Sequence, residues 1–297
     1  MKKEDISDAL NMLNDDILQE ANEVRSNKKK NRNWRKWGAV AACLCLLVAV
    51  FPVKRLINAN KNQDKGVDPI ALLELSGCYY EACSKERILE KYGLPAKITE
   101  DMAGQHLLYL ESDGGAGYKV TSAQTNIELY EYAPNPCRAV YVLRDGNSYK
   151  AALFCNIIGS DTNTSYELRD LYKFYGIEGA EDIASISHVD WHKEKAVGNT
   201  VTDTEAISAF YNITLALAGY SNDDFQAEVF GKIPENQQVA VHTDFANDNT
   251  TIRIEATSGL RLFIEVFPDY GWIYGGGTMK YYKMNDAMHQ WFDTNIK

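Results

Sequence analysis

From Trp37 to Val53 the chain reads WGAVAACLCLLVAVFPV, 17 residues without a charge. No other feature constrains the fold so tightly. In hydrocarbon every backbone polar group must be bonded inside the segment, so a lone run can cross only as a helix. Extended through Leu56 and Ile57, with Lys54 and Arg55 snorkelling, the run reaches the lower end of the length that spans a bilayer. The expectation is one transmembrane helix over residues 37–57. Trp34 and Trp37 stand where interfacial aromatics belong, and Pro52 lies near the far end, where a kink costs little.

Orientation follows from the flanks. Arg25, Lys28, Lys29, Lys30, Arg32, Arg35 and Lys36 precede the run, and only Lys54, Arg55, Lys61 and Lys65 follow it. The positive-inside bias places the N-terminus in the cytoplasm. Three other readings compete: a buried core helix, a cleaved signal peptide and a lipoprotein signal. A core helix does not need basic flanks on both sides. The 36 residues ahead of the run are too many for a signal n-region, and no clean small-x-small site follows it. Val40-Ala41-Ala42-Cys43 resembles a lipobox, but only Trp37, Gly38 and Ala39 of the uncharged run precede it.

The charge is divided by this run. Residues 1–65 hold 13 Lys+Arg against 8 Asp+Glu; of the totals of 31 and 41, this leaves 18 basic and 33 acidic residues beyond. A body with a net charge of −15 argues against nucleic acid as partner, since phosphate binding relies on clustered Lys and Arg. The expected segments are 1–36 cytoplasmic, 37–57 in the membrane, 58–68 a polar linker, and 69–195 and 196–297 two extracytoplasmic α+β domains.

Within the stem, Ile6, Leu10, Leu13, Ile17 and Val24 recur at helical spacing over residues 4–25, with Ala21 on the same stripe. A helix this short is marginal in water with nothing to pack on. The stripe therefore suggests docking into a groove on a cytoplasmic protein; a frayed tail or pairing with its own copy is the plainer alternative. The acidic polar face disfavours lying on an anionic leaflet.

The outer portion reads as α+β, each half a helix followed by antiparallel strands. Ser84 caps a helix stopped by Gly93 and Pro95; Leu107–Leu110 is a strand; Ala139–Leu143 and Tyr149–Phe154 flank an Asp145-Gly146 turn; Tyr166–Tyr175 is a helix. Gly179–Val189 leads out of the first half. In the second half, near Gly198 onward, Thr202 or Asp203 caps a helix to about Ala218, with Ile207, Phe210, Tyr211, Thr214 and Leu217 on one side. Strands are expected at Val239–Phe245, Thr251–Thr257, Leu260–Phe267, Trp272–Tyr274 and Met279–Lys283, and a last helix capped by Asn285.

Cys78, Cys83, Cys137 and Cys155 lie beyond the apolar run, where an oxidising exterior permits bridges. If Arg144 and Ser148 close the hairpin around three residues, Cys137 falls opposite Cys155. Cys78 and Cys83 would then close a small loop. Four free thiols are the alternative.

No catalytic signature stands out, so neither enzyme activity nor a metal or cofactor is expected. His188, Asp190 and His192 form a tight group, but a metal site needs a third ligand and a rigid frame, and a surface turn explains them better. Gly275–Gly277 precedes a strand and so reads as a turn rather than a phosphate cradle. Ser76-Gly77-Cys78 has no base beside it. The 18 tyrosines fit a half-buried core better than a binding platform.

EDISDALNMLNDDILQEA, then KKKNRNWRKW, then WGAVAACLCLL resembles the opening of single-pass membrane proteins of Clostridia-type Gram-positive bacteria, some of them regarded as anti-sigma-factor-like regulators. The resemblance covers about the first 55 residues. It implies a cytoplasmic helix holding a partner such as a sigma factor, coupled across the membrane to an outer sensing domain of unknown ligand. The chain departs from the zinc-binding anti-sigma type, because residues 1–36 contain no His or Cys. Ser84 to Pro95 followed by a Tyr-bearing strand is also similar to the opening of small lipoprotein-like α+β domains.

Overall fold

The computed structural model describes residues 70–110, 118–122, 127–158, 166–190, 195–234 and 236–296. The chain divides into two units, Met1–Val67 and Asp68–Lys297, and every described residue belongs to the second. The expected membrane helix 37–57, the linker 58–68 and the stem residues Ile6, Leu10, Leu13, Ile17 and Val24 lie outside the described residues. Among the described residues no helix is long and apolar enough to cross a membrane.

The described unit is α+β, with two antiparallel sheets and six helices. The first sheet is built from β1 (Ile70–Leu75), β2 (Cys78–Cys83), β3 (Ala103–Leu110), β4 (Tyr118–Ser122), β5 (Ile127–Tyr132), β6 (Val140–Asp145) and β7 (Ser148–Ile157). Their order is β3-β5-β6-β7-β2-β1-β4. The second contains β8 (Ile183–Asp190), β9 (Lys195–Val201), β10 (Gly219–Tyr220), β11 (Thr250–Ala256), β12 (Arg261–Phe267), β13 (Trp272–Gly275) and β14 (Lys280–Lys283). Their order is β10-β14-β13-β12-β11-β8-β9. The helices are α1 (Glu86–Lys91), α2 (Leu168–Phe174), α3 (Thr204–Leu215), α4 (Asn222–Val229), α5 (Gln238–Asn247) and α6 (Asp286–Asn295).

Local chemistry sets most of these boundaries. The Asp203 carboxylate accepts the Ala206 amide at 2.8 Å to start α3, and Asn285 Oδ1 accepts that of Met288 at 2.9 Å to start α6. Ile207, Phe210, Tyr211 and Thr214 then form the buried side of α3, as their spacing predicts. That side meets α6 where the Trp291 indole donates to the Ala206 carbonyl at 2.8 Å. One core cluster runs from Leu73 and Tyr80 in the first sheet through α2 to Ile252, Ile264 and Tyr282 in the second. The sheets also touch directly. The Ile157 amide donates to the Gly277 carbonyl at 2.9 Å, and a Cβ at Gly277 would lie 2.5 Å from Leu171 and 2.7 Å from Phe154.

Four expectations need correction. The first half does not begin with a helix: β1 and β2 precede α1 and form a hairpin through Ser76 and Gly77, both at positive φ. Gly179–Val189 is largely strand β8, which pairs with β11, so the second sheet begins at Ile183 rather than near Gly198. Val239–Phe245 is not a strand but the body of α5, and α4 ahead of it was not anticipated. Val239, Val241 and Phe245 share the parity of a strand face, which misleads; in a helix, Val241 and Phe245 are one turn apart and Val239 points away. Val239 is 79% exposed, while Phe245 is buried among aromatics.

The fourth concerns the cysteines. Asp145 pairs with Ser148, so the hairpin turns on two residues, Gly146 and Asn147, and the register moves by one. Cys137 would then face Asn156 rather than Cys155. Cys78 and Cys83 are the first and last residues of the extended β2. At about 3.3 Å per residue their Cα atoms stand roughly 16 Å apart, far beyond bridging distance. No disulfide joins any of the four.

Candidate functional site

Strand periodicity builds the site. Along β11, Ile252, Ile254 and Ala256 enter the core, so Thr251, Arg253 and Glu255 take the opposite face. Pairing carries the alternation sideways: Arg253 stands opposite Phe263, Glu255 opposite Arg261 and Thr251 opposite Glu265 on β12. On the other side Arg253 faces Ser187 and Thr251 faces Val189 on β8.

The C-terminal end of α1 closes this face at one end. The Tyr92 ring meets Phe263 edge-on, 5.7 Å between centroids, and Lys91 Nζ lies 5.7 Å from the centre of the same ring. The Arg261 amide donates to the Tyr92 carbonyl at 3.1 Å, and Arg261 Nη1 donates to the Glu90 carbonyl at 2.8 Å. A cation on the last carbonyls of a helix is favourably placed. The approach is tight: at Gly93, with φ of +79°, a Cβ would lie 1.9 Å from the Gly259 carbonyl oxygen. Only glycine satisfies both the backbone angle and the contact.

Between α1 and the sheet lies a cavity of about 210 Å³ lined by Glu90, Lys91, Val189, Arg253, Arg261 and Phe263. Its charges are unevenly matched. Arg261 Nε donates to Glu255 Oε2 at 3.1 Å, and Arg253 Nε is 3.9 Å from that same oxygen. Arg253 Nε is buried and has no hydrogen-bond partner. The Arg253 side chain is only 17% exposed. Burial lowers its pKa from the usual arginine value, and the neighbouring Arg261 pushes in the same direction against the pull of Glu255.

The far end of the same face is closed differently. Phe225, Phe230, Phe245, Phe267 and Trp272 form an aromatic cluster under α4 and α5. Glu265 lies between the two ends, its pKa raised by burial and eased down by a hydrogen bond with Asn249. A second, more open hollow is lined by Asp244, Asn247, Asp248, Asp269 and Tyr270. There Asp248 Oδ2 accepts the amides of Asp269 and Tyr270 at 2.9 and 3.3 Å, which makes it a turn cap.

The residues singled out from sequence fall elsewhere. His188 and Asp190 lie on β8 rather than in a surface turn, and His188 faces the side of the sheet opposite Arg253. Among the described residues no group of three or more His, Cys, Asp or Glu could hold a metal ion. Gly275 ends β13, and Gly276 and Gly277 open the turn to β14, closed by the Thr278 amide on the Gly275 carbonyl at 2.8 Å. Tyr80, Tyr172 and Tyr282 are core residues; the last two bond Thr214 at 2.9 Å and Thr278 at 3.0 Å. Cys78 is buried, with Arg138 Nη2 3.4 Å from its sulfur, and burial raises its pKa.

Arg253, Arg261 and Lys91 were not anticipated. A signal existed in the alternation of TTIRIEA and RLFIEVF, which puts Arg253 with Glu255, and Arg261 with Glu265, on a common side. Nothing in it announces that α1, far earlier in the chain, packs there. Compared with protein-family models, curated proteins and solved structures, the chain matches none.

Proposed function

We propose that this chain is a single-pass membrane protein with its N-terminus in the cytoplasm, a sensing or binding body outside, and an inner helix that grips a cytoplasmic protein. The observation that carries the reading is the uncharged run from Trp37, with seven Lys and Arg from Arg25 to Lys36 just ahead of it and an acidic body behind it. The body, Asp68–Lys297, is one compact unit and holds a lined cavity on a sheet face, which suits a binding role better than a catalytic one. The stripe Ile6, Leu10, Leu13, Ile17 and Val24 supplies the grip. The anti-sigma-like opening makes a sigma factor the first partner to look for.

Two measurements test the reading. Protease added to whole cells should degrade the body and leave the stem; a body spared in intact cells removes the topology. Intact protein should co-purify a cytoplasmic protein that the Leu10→Asp, Leu13→Asp double variant loses. Equal recovery by both ends the regulatory part and leaves the second reading, a surface-anchored binding module. The cavity supports that module as readily as a sensor. Deleting residues 2–24 separates them, since the module keeps its function without the stem and the regulator does not.

A further inference from the structure

We infer that the cavity between α1 and strands β11 and β12 binds a small oxyanion, a carboxylate or phosphate carried on a short apolar body. The inference rests on reading Asp68–Lys297 as a binding region, and names the chemistry of its ligand.

A purely structural account explains half of the charges. Arg261 staples α1 to the sheet: its guanidinium holds the Glu90 carbonyl and Glu255, and its amide holds the Tyr92 carbonyl. Removing Arg253 would break none of these bonds. Glu255 Oε2 already accepts from Arg261 at 3.1 Å, so at 3.9 Å Arg253 gets only its field. The Ser187 hydroxyl opposite Arg253 donates to Thr200 Oγ1 at 3.1 Å. Arg253 thus keeps a cation in a partly buried position where it loses hydration, its Nε makes no hydrogen bond, and its ion-pair partner Glu255, 3.9 Å away, is already bonded to Arg261. Such a group is costly to fold unless something else meets it.

The surroundings indicate what that is. Two guanidiniums and the Lys91 ammonium face one bonded carboxylate, Glu255, and the lining residue Glu90. Three cationic side chains thus gather around one wall in a body whose overall charge is strongly negative. Guanidinium groups suit the paired oxygens of carboxylate or phosphate. Phe263 and Val189 form the apolar part of the wall. At about 210 Å³ the cavity is below the range of about 300–1,000 Å³ typical of drug-sized ligands. The occupant is a small acid and not a chain or a polymer.

The test is calorimetric titration of the full-length chain in detergent with benzoate, acetate, inorganic phosphate and the neutral benzyl alcohol. Benzoate or phosphate should bind with Kd below about 1 mM, and benzyl alcohol should not bind. Benzoate tighter than both acetate and phosphate assigns a carboxylate on an apolar body; phosphate tighter than benzoate assigns a tetrahedral head. Arg253→Met, which keeps the bulk of the stem, should weaken the better anion at least tenfold with no fall in melting temperature. Lys91→Gln, at the rim, should weaken it about threefold, and covers the case in which Arg253→Met does not fold. Failure of all three anions to bind the parent chain overturns the inference, as does unchanged affinity in a folded Arg253→Met or, if that variant does not fold, in Lys91→Gln. Binding by a chain that captures no cytoplasmic partner would leave the site standing while the regulatory reading falls; a captured partner without anion binding would do the reverse.

Discussion

One face of the second sheet is closed in two ways. Under α4 and α5 it is closed by rings: Phe225 stacks on Tyr281 with centroids 3.6 Å apart and meets Trp272 edge-on at 5.2 Å. Under α1 it is closed by charges, with Arg261 bonded to helix carbonyls and Arg253 left beside a cavity. Both ends share strand β12 and the same alternation. They differ in what the covering helix offers: α4 and α5 bring buried phenylalanines, whereas α1 brings its carbonyl end. The aromatic end is built to be shut and the charged end is built around a space.

The largest expected effect lies at the shut end. Phe225 has no exposed surface, so Phe225→Ala deletes a ring from a packed cluster, and should cost about 3–5 kcal/mol in denaturant unfolding. A cost below about 1 kcal/mol would mean that α4 and α5 cover the sheet only loosely, and the comparison would lose one side. The charged end should answer more weakly. Arg261→Met removes the bonds to Glu90 and Glu255 and should cost about 1–3 kcal/mol. Arg253→Met should change stability by less than about 1 kcal/mol, or raise it, because Glu255 keeps Arg261 and no charge is stranded. If the two arginine variants behave alike, Arg253 is structural too, and the contrast within the charged end disappears.

The contrast also explains what could be read in advance. Asp203, Asn285 and Gly259 act locally, so the starts of α3 and α6 and the β11–β12 turn were legible within a few residues of sequence, whereas α1 starts from Lys85 without a side-chain cap and not from Ser84. The α3 face was legible because five apolar or buried positions repeat at one spacing. The strand reading of Val239–Phe245 failed because alternation over seven residues satisfies a strand, and the helix is chosen by Phe225 and Phe230, which contact Phe245 from another element. The cavity failed to show for a similar reason. Arg253 looks like an ordinary outward strand residue, and only the arrival of α1 from the first half of the unit makes its position a wall. The hairpin register missed by a single residue, because Asp145 pairs with Ser148 where Arg144 was expected to, and a one-residue slip is enough to undo a disulfide argument.

The smallest effect, and the finest test of where the two ends meet, belongs to Glu265. It stands opposite both Thr251 and Tyr274, between the arginine cavity and the rings. Burial raises its pKa above the ordinary carboxylate value, with only the Asn249 hydrogen bond opposing. A raised folded-state pKa means that the folded chain holds this proton at pH values where the unfolded chain has released it. Stability contributed by the group is therefore greatest below its ordinary pKa and falls as pH rises between the ordinary and the raised value. Above the raised value the charged form is present and the penalty is complete. Glu265→Gln keeps the shape and removes the titration. It should flatten the pH dependence of the melting temperature in that window and raise the melting temperature by a degree or two near neutrality. An unchanged profile would show that Glu265 is charged without penalty, which requires the cations of the cavity to reach it and makes the two ends one electrostatic site.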